Sequence, residues 1–120
     1  MFSPPIRCLD LSLDDPAANL ALDDALLEEA EANGGGEVLR FWESPAHFVV
    51  LGAGSPSAAD VDLEACRAAG VPVLRRCSGG GTVVQGPGCL NYAFVLDREA
   101  RPELATIDST NRAILGSVAR

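Results

Sequence analysis

The residues of this chain best suited to chemistry fall in one run, Arg75-Arg76-Cys77-Ser78-Gly79-Gly80-Gly81-Thr82-Val83. Three consecutive glycines permit backbone geometry that other residues disfavour, and they let main-chain N–H groups come close to a ligand. An anion suits such a nest. The adjoining arginines offer a fork of donors to phosphate or carboxylate and stay charged at any working pH. The plainer alternative is a glycine hairpin with solvated arginines. The run is not a Walker loop, because the spaced glycines and the Lys-Ser/Thr end are missing, nor does it match the dinucleotide fingerprint.

Other reactive side chains are few. All nine basic residues are arginines and the chain has no lysine, although lysine is ordinarily among the commonest residues. Cys8, Cys66, Cys77 and Cys89 form no CxxC pair and have no histidine-rich surroundings, so reduced thiols are expected and neither a zinc site nor a disulfide framework. Cys77 and Cys89 adjoin the glycine run. A cysteine nucleophile needs an activating base or cation; Arg76 is a candidate, whereas the one histidine, His47, reads as a half-buried strand residue.

Composition bounds the rest. The net charge of −8, with most acids before residue 65, argues against a nucleic-acid partner, which would call for a basic stripe. At 48% apolar residues the chain is too hydrophobic for a disordered tail, yet it has no apolar run near the ~20 residues of a membrane span. The start, Met1-Phe2-Ser3-Pro4-Pro5, lacks the basic and apolar stretches of a secretory signal, so a cytoplasmic location is expected. A length of 120 residues suits one domain.

The elements that must position the glycine run follow from periodicity. Residues 6–11 read as a strand, and Asp14-Asp15-Pro16 as the cap and first turn of an amphipathic helix that Gly34-Gly35-Gly36 stops. Residues 38–42 and 47–51 read as two strands of a hairpin around Glu43-Ser44-Pro45-Ala46. A helix is expected over 59–69, stopped by Gly70, and a short strand over 71–75 leads into the glycines. Residues 82–84 and 90–96 suggest a second hairpin around Gly86-Pro87-Gly88. A last helix starts near Thr106 or Asp108 and should send Ile107, Ala113, Ile114, Leu115 and Val118 toward a core. The sum is a mixed α+β unit, its antiparallel or mixed sheet flanked by helices.

The run 75–83, followed by Gly88-Cys89-Leu90-Asn91-Tyr92, resembles the lipoate–protein ligase family within the biotin/lipoate ligase superfamily, whose hallmark is an Arg-Arg-x-Ser/Thr-Gly-Gly-Gly loop before a Leu-Asn-Tyr strand. Asn19-Leu20-Ala21-Leu22-Asp23 is similar to the family's first helix, and Leu39-Arg40-Phe41-Trp42 with Val49-Val50-Leu51-Gly52 to the strand pair before the pocket. The resemblance covers roughly residues 7–118. It implies a class II synthetase/biotin ligase-like catalytic fold, of which residues 1–120 would be the N-terminal portion.

By position the resemblance assigns Arg75, Arg76, Ser78, Gly79, Gly80, Gly81 and Thr82 to the loop over the acyl group and nucleotide, and Asn91 to a polar contact with the nucleotide. Trp42, Val49 and Gly52 would line the acyl slot, with Trp42 equally suited to plain core and Tyr92 better suited to core than to ligand contact. It further implies ATP, Mg2+ and lipoate or octanoate, and a lipoyl carrier domain of a 2-oxoacid dehydrogenase or glycine cleavage protein as acceptor. Gln85 stands where many relatives have histidine, and Ala53 where several have arginine. The larger departure is the missing lysine, which in the family lies downstream and contacts the acyl carbonyl and phosphate. Losing such a preorganised charge typically costs ~3 kcal/mol or more. The expectation is a chain truncated before that lysine and inactive alone, with an open sheet edge that favours self-association. Alternatives are an octanoyl or lipoyl transferase that needs no ATP, and a noncatalytic acyl-binding or accessory module.

Overall fold

The computed structural model describes residues 5–34 and 36–119, the side chain of Ala58 excepted. Strand β1 (Ile6–Asp10) leads into helix α1 (Pro16–Asn33), then strands β2 (Glu37–Trp42) and β3 (Phe48–Leu51). Short helices α2 (Ser57–Asp60) and α3 (Leu63–Ala68) precede β4 (Val73–Arg75), β5 (Val83–Gln85) and β6 (Asn91–Val95); a 3-10 turn (Pro102–Leu104) and helix α4 (Ile107–Val118) follow.

The start and stop of α1 come from local chemistry. The Asp15 side chain accepts from the Ala17 N–H, Pro16 occupies the first turn, and Gly34 adopts φ +59° while its N–H bonds to the Ala30 carbonyl. The helix expected over 59–69 is in fact two. Val61 is extended, and the Asp62 side chain accepts from the Ala65 N–H at 3.0 Å, so the aspartate caps a new helix instead of continuing the old one.

Six strands form two three-stranded mixed sheets, in the orders β1-β2-β6 and β4-β3-β5. The fold is thus α+β with mixed sheets and flanking helices, but neither expected hairpin exists. Strand β2 pairs antiparallel with β6, placing Trp42 opposite Asn91, while β3 pairs antiparallel with β5, placing Val49 opposite Val84. Both turns that look like hairpin loops carry the chain from one sheet to the other. The Gly86-to-Gly88 turn is real, with the Cys89 N–H on the Gly86 carbonyl and Gly88 at φ +89°, but it delivers β6 to a different partner.

The core sits where the sheets meet. Trp42 from one and Phe48 and Val50 from the other form a buried cluster against Leu20 and Leu74, with the two rings stacked at 6.5 Å. Helix α4 departs from expectation: Ile107, Leu115 and Val118 are 83%, 61% and 57% exposed, because the helix rests chiefly on the 3-10 turn. Leu104 from that turn is buried and Ile114 half-buried. The turn is tied to β2 by Arg101, whose guanidinium forks onto the buried Glu37 carboxylate with both bonds at 2.6 Å.

Candidate functional site

Between the sheets opens a cleft of about 260 Å³, lined by Leu20, Asp23 and Asp24 of α1, Trp42, Val50, Val83, Gln85, Asn91 and Tyr92 of the strands, and Arg76, Cys77 and Ser78 of the loop after β4. Its floor and one side are apolar, through Leu20, Trp42, Val50, Val83 and Tyr92. Its polar groups come from the loop, from Asp23 and Asp24 on α1, and from Gln85 and Asn91 on the strands.

The loop is held by its own arginines. Arg76 Nη2 donates to the carbonyls of Gly79 and Gly81, each at 2.8 Å, and so ties the glycine turn shut from inside. Arg75 turns away from the cleft: its Nη1 donates to the carbonyls of Gly52 at 2.8 Å and Ser55 at 2.7 Å, joining the segment after β3 to the loop. That junction is tight. A Cβ on Gly52 would lie 2.1 Å from the Gly80 carbonyl oxygen, so only glycine lets the strand end meet the loop, while Gly80 itself sits at φ +102°.

Expected site residues separate accordingly. Trp42, Arg76, Ser78 and Asn91 meet at the cleft. Val49 does not: alternation along β3 sends Val50 to the cleft and Val49 to a hollow on the other side, shared with Gly81 and Thr82. Thr82 there donates its hydroxyl to Asp60 at 3.1 Å. Gly52 serves the loop's approach rather than lining the slot. His47 lies just before β3 and is exposed rather than half-buried, its ring against Gly86.

Leu20, Asp23, Asp24 and Val50 line the cleft without having been singled out from the sequence as site residues. Asn91 Nδ2 donates to Gln85 Oε1 at 2.9 Å, linking the two sheets at the cleft wall. The Cys77 thiol donates to Asp24 Oδ1 at 2.8 Å. That bond, reinforced by burial and by the aspartate's charge, raises the thiol's pKa above the ordinary 9.0. The neighbouring carboxylate therefore outweighs any lowering by Arg76, and Cys77 rests as a thiol. The signal for Asp23 and Asp24 was their place on the cleft-facing side of α1, but which strand groups they would meet is not written in the helix.

A nucleotide can be tested against these groups. Backbone N–H groups of a glycine turn and the Arg76 cation suit an anion, and the apolar floor suits a fatty acyl tail. A volume of about 260 Å³ is close to the low end of ligand pockets, ~300 Å³: room for an acyl tail or a nucleobase, not both. Among the described residues no cluster of three or more His, Cys, Asp or Glu side chains could hold a metal ion.

A solved structure shares this architecture: lipoate-protein ligase A bound with ATP superposes with a TM-score of 0.71 at 27% identity, over 88% of this chain and 41% of that one. The fold is therefore that of a lipoate ligase catalytic domain. Residues 15–120 match the family profile of the lipoyl protein ligase A/B catalytic domain, and the chain belongs to that family. A protein of Aeropyrum pernix carrying the name lipoate-protein ligase A is 42% identical over 83 residues, 69% of this chain and 31% of the relative. Octanoyltransferase LipM of Carboxydothermus hydrogenoformans is 41% identical over 78 residues, 65% of this chain and 29% of the relative. The chain thus spans about a third of the length of these relatives. No helix among the described residues is long and apolar enough to cross a membrane.

Proposed function

We propose that this chain supplies the acyl-binding wall and glycine loop of a lipoate–protein ligase centre, which activates lipoate or octanoate with ATP and passes the acyl group to a lysine of a lipoyl carrier domain in a 2-oxoacid dehydrogenase or glycine cleavage protein. The observation that carries this reading is the meeting of an apolar floor with Arg76, Cys77 and Ser78, the start of the closed glycine loop, in one cleft. Leu20, Trp42, Val50, Val83 and Tyr92 hold the acyl tail and exclude water. Ser78 and Arg76 face the carboxylate and phosphate end, with the glycine turn bonded behind them through Arg76, and Asn91 offers its side-chain oxygen while its amide is held by Gln85. ATP, when bound, supplies the group that activates the acyl carboxylate, and Mg2+ would accompany its phosphates. The chain brings no lysine to stabilise the charge that develops there.

Trp42 is the chain's one tryptophan, so its emission reports directly on the cleft. Octanoate should shift that emission, while ATP with octanoate yields no AMP and a carrier domain stays unmodified by this chain alone. An emission indifferent to octanoate and lipoate overturns acyl binding; rapid lipoylation of a carrier overturns the need for an added lysine.

The likeness to LipM favours a second reading, acyl transfer from a thioester without ATP. The Asp24 bond that keeps Cys77 protonated weighs against that cysteine as nucleophile. Incubation with an octanoyl thioester and no nucleotide separates the two: octanoyl transfer to a carrier lysine would favour the transferase.

A further inference from the structure

The most heavily bonded side chain among the described residues lies directly behind the cleft. Arg40 is fully buried. Its Nε donates to the Leu11 carbonyl at 3.2 Å, its Nη1 to the Asn19 carbonyl at 2.8 Å and to Asp23 Oδ1 at 2.7 Å, and its Nη2 to Asn19 Oδ1 at 2.8 Å. Asn19 is itself fixed, accepting from the Leu13 N–H and donating to the Leu13 carbonyl. The guanidinium stands 5.2 Å from the centre of the Trp42 ring, within reach of a cation–π contact. Asp23 completes the arrangement: its second oxygen, Oδ2, accepts from Trp42 Nε1 at 3.2 Å.

The indole is therefore gripped twice, by its N–H edge through Asp23 and over its face by Arg40. Asn19 and Asp23 stand four residues apart on α1, one turn along the same face, while Arg40 and Trp42 alternate to the same side of β2. Both carboxylate oxygens of Asp23 are engaged, although the residue borders the cleft. A carboxylate so occupied offers its charge to the arginine rather than to a ligand.

We infer that Asp23 is a positioning residue that, with Arg40 behind it, fixes the Trp42 indole as the floor of the cleft and so sets the length of acyl chain accepted. The acyl part rests on the function proposed above; the hold on the indole does not. A ring locked in one rotamer makes a fixed floor, and a pocket of fixed depth distinguishes chains by the methylenes that overrun it. Asp23→Asn has one acceptor for two donors and leaves Arg40 without its counter-charge. Asp23→Glu keeps the charge and moves the carboxylate by one methylene.

The test uses the full chain, with fold checked by far-ultraviolet circular dichroism. The single indole N–H gives one side-chain tryptophan resonance, and ligand-observed NMR gives affinities for hexanoate, octanoate and dodecanoate without relying on that ring. In both variants the indole resonance should move and acrylamide quenching of Trp42 should rise. The wild-type preference for octanoate over dodecanoate should fall by about tenfold or more. If Asp23→Asn does not fold, Asp23→Glu decides, since it leaves Arg40 paired. An indole resonance and quenching that match the wild type in a folded variant overturn the inference, as does an unchanged chain-length preference beside a displaced indole. Failure of the acyl reading looks different: no acid of any length binds the wild type, while the indole resonance still follows Asp23.

Discussion

At the scale of single residues, two carboxylates set the behaviour of their neighbours. Asp24 raises the Cys77 pKa by accepting its S–H, so Cys77 should react with iodoacetamide more slowly at pH 8 than an ordinary exposed thiol. Asp24→Asn removes the charge and weakens the bond, lowers that pKa, and should speed alkylation several-fold, followed by mass spectrometry of the Cys77 peptide. Glu37 is the opposite case. The hydrogen bonds from Arg101 lower its pKa below the ordinary 4.5, against the desolvation that would raise it. A depressed carboxylate contributes stability above its ordinary pKa and loses it as pH falls from 4.5 through the lowered value. Glu37→Gln should therefore melt lower at neutral pH, by about 3 kcal/mol for a buried pair broken on one side, and the gap between wild type and variant should shrink under acid. Thermal melts of both at pH 7 and pH 3 check this.

At the scale of elements, the junction of β3 with the glycine loop rests on Gly52. Gly52→Ala forces a Cβ to within 2.1 Å of the Gly80 oxygen, and such overpacking typically costs 1–3 kcal/mol. Gly79→Ala meets nothing within 4 Å and keeps an ordinary φ, so it should change stability by less than ~0.5 kcal/mol. Urea titrations of the two variants make the comparison. The sequence was a good guide to elements whose signals are local: Asp15, Pro16 and Gly34 mark the limits of α1 because capping needs no distant partner. Strand pairing does. Residues 43–46 and 86–88 read as hairpin loops because neighbouring strands commonly pair, and nothing local says that each turn switches sheets. The site divides in the same way. The glycine run, Trp42 and Asn91 carry type and spacing in one stretch, whereas the Asp23 grip on Trp42 and the Asp24 bond to Cys77 join residues on separate elements and emerge only with the fold. Val49 was misplaced because β3 is buried on both faces, which removes the alternation that would have told its sides apart.

At the scale of the whole molecule, the chain is extended. Its radius of gyration is 15.9 Å and its extents 55 × 32 × 28 Å, against roughly 13–14 Å for a compact domain of this length. Strands β4 and β5 are the edges of one sheet, β1 and β6 of the other, and Val84 and Leu90, each 66% exposed, lie beside them with Ile107 on α4. Open apolar edges recruit other strands, so sedimentation at micromolar concentration should show species above the monomer, and Val84→Lys should reduce them without loss of helix signal. The pairing of Val38 with Val95 and of Trp42 with Asn91 also bears on synthesis. Strand β2 leaves the ribosome long before its partner β6, and at 5–20 residues per second the wait is roughly 3–10 s. Every strand of the β4-β3-β5 sheet is made within that interval, so it can assemble first, glycine loop included, while one side of β2 stays bare. The cleft borrows a wall from each sheet and is therefore the last part of the molecule to exist. A chain that has emerged from the ribosome only as far as the segment between Gln85 and Asn91 should carry its loop already folded and yet have nowhere to put an acyl chain.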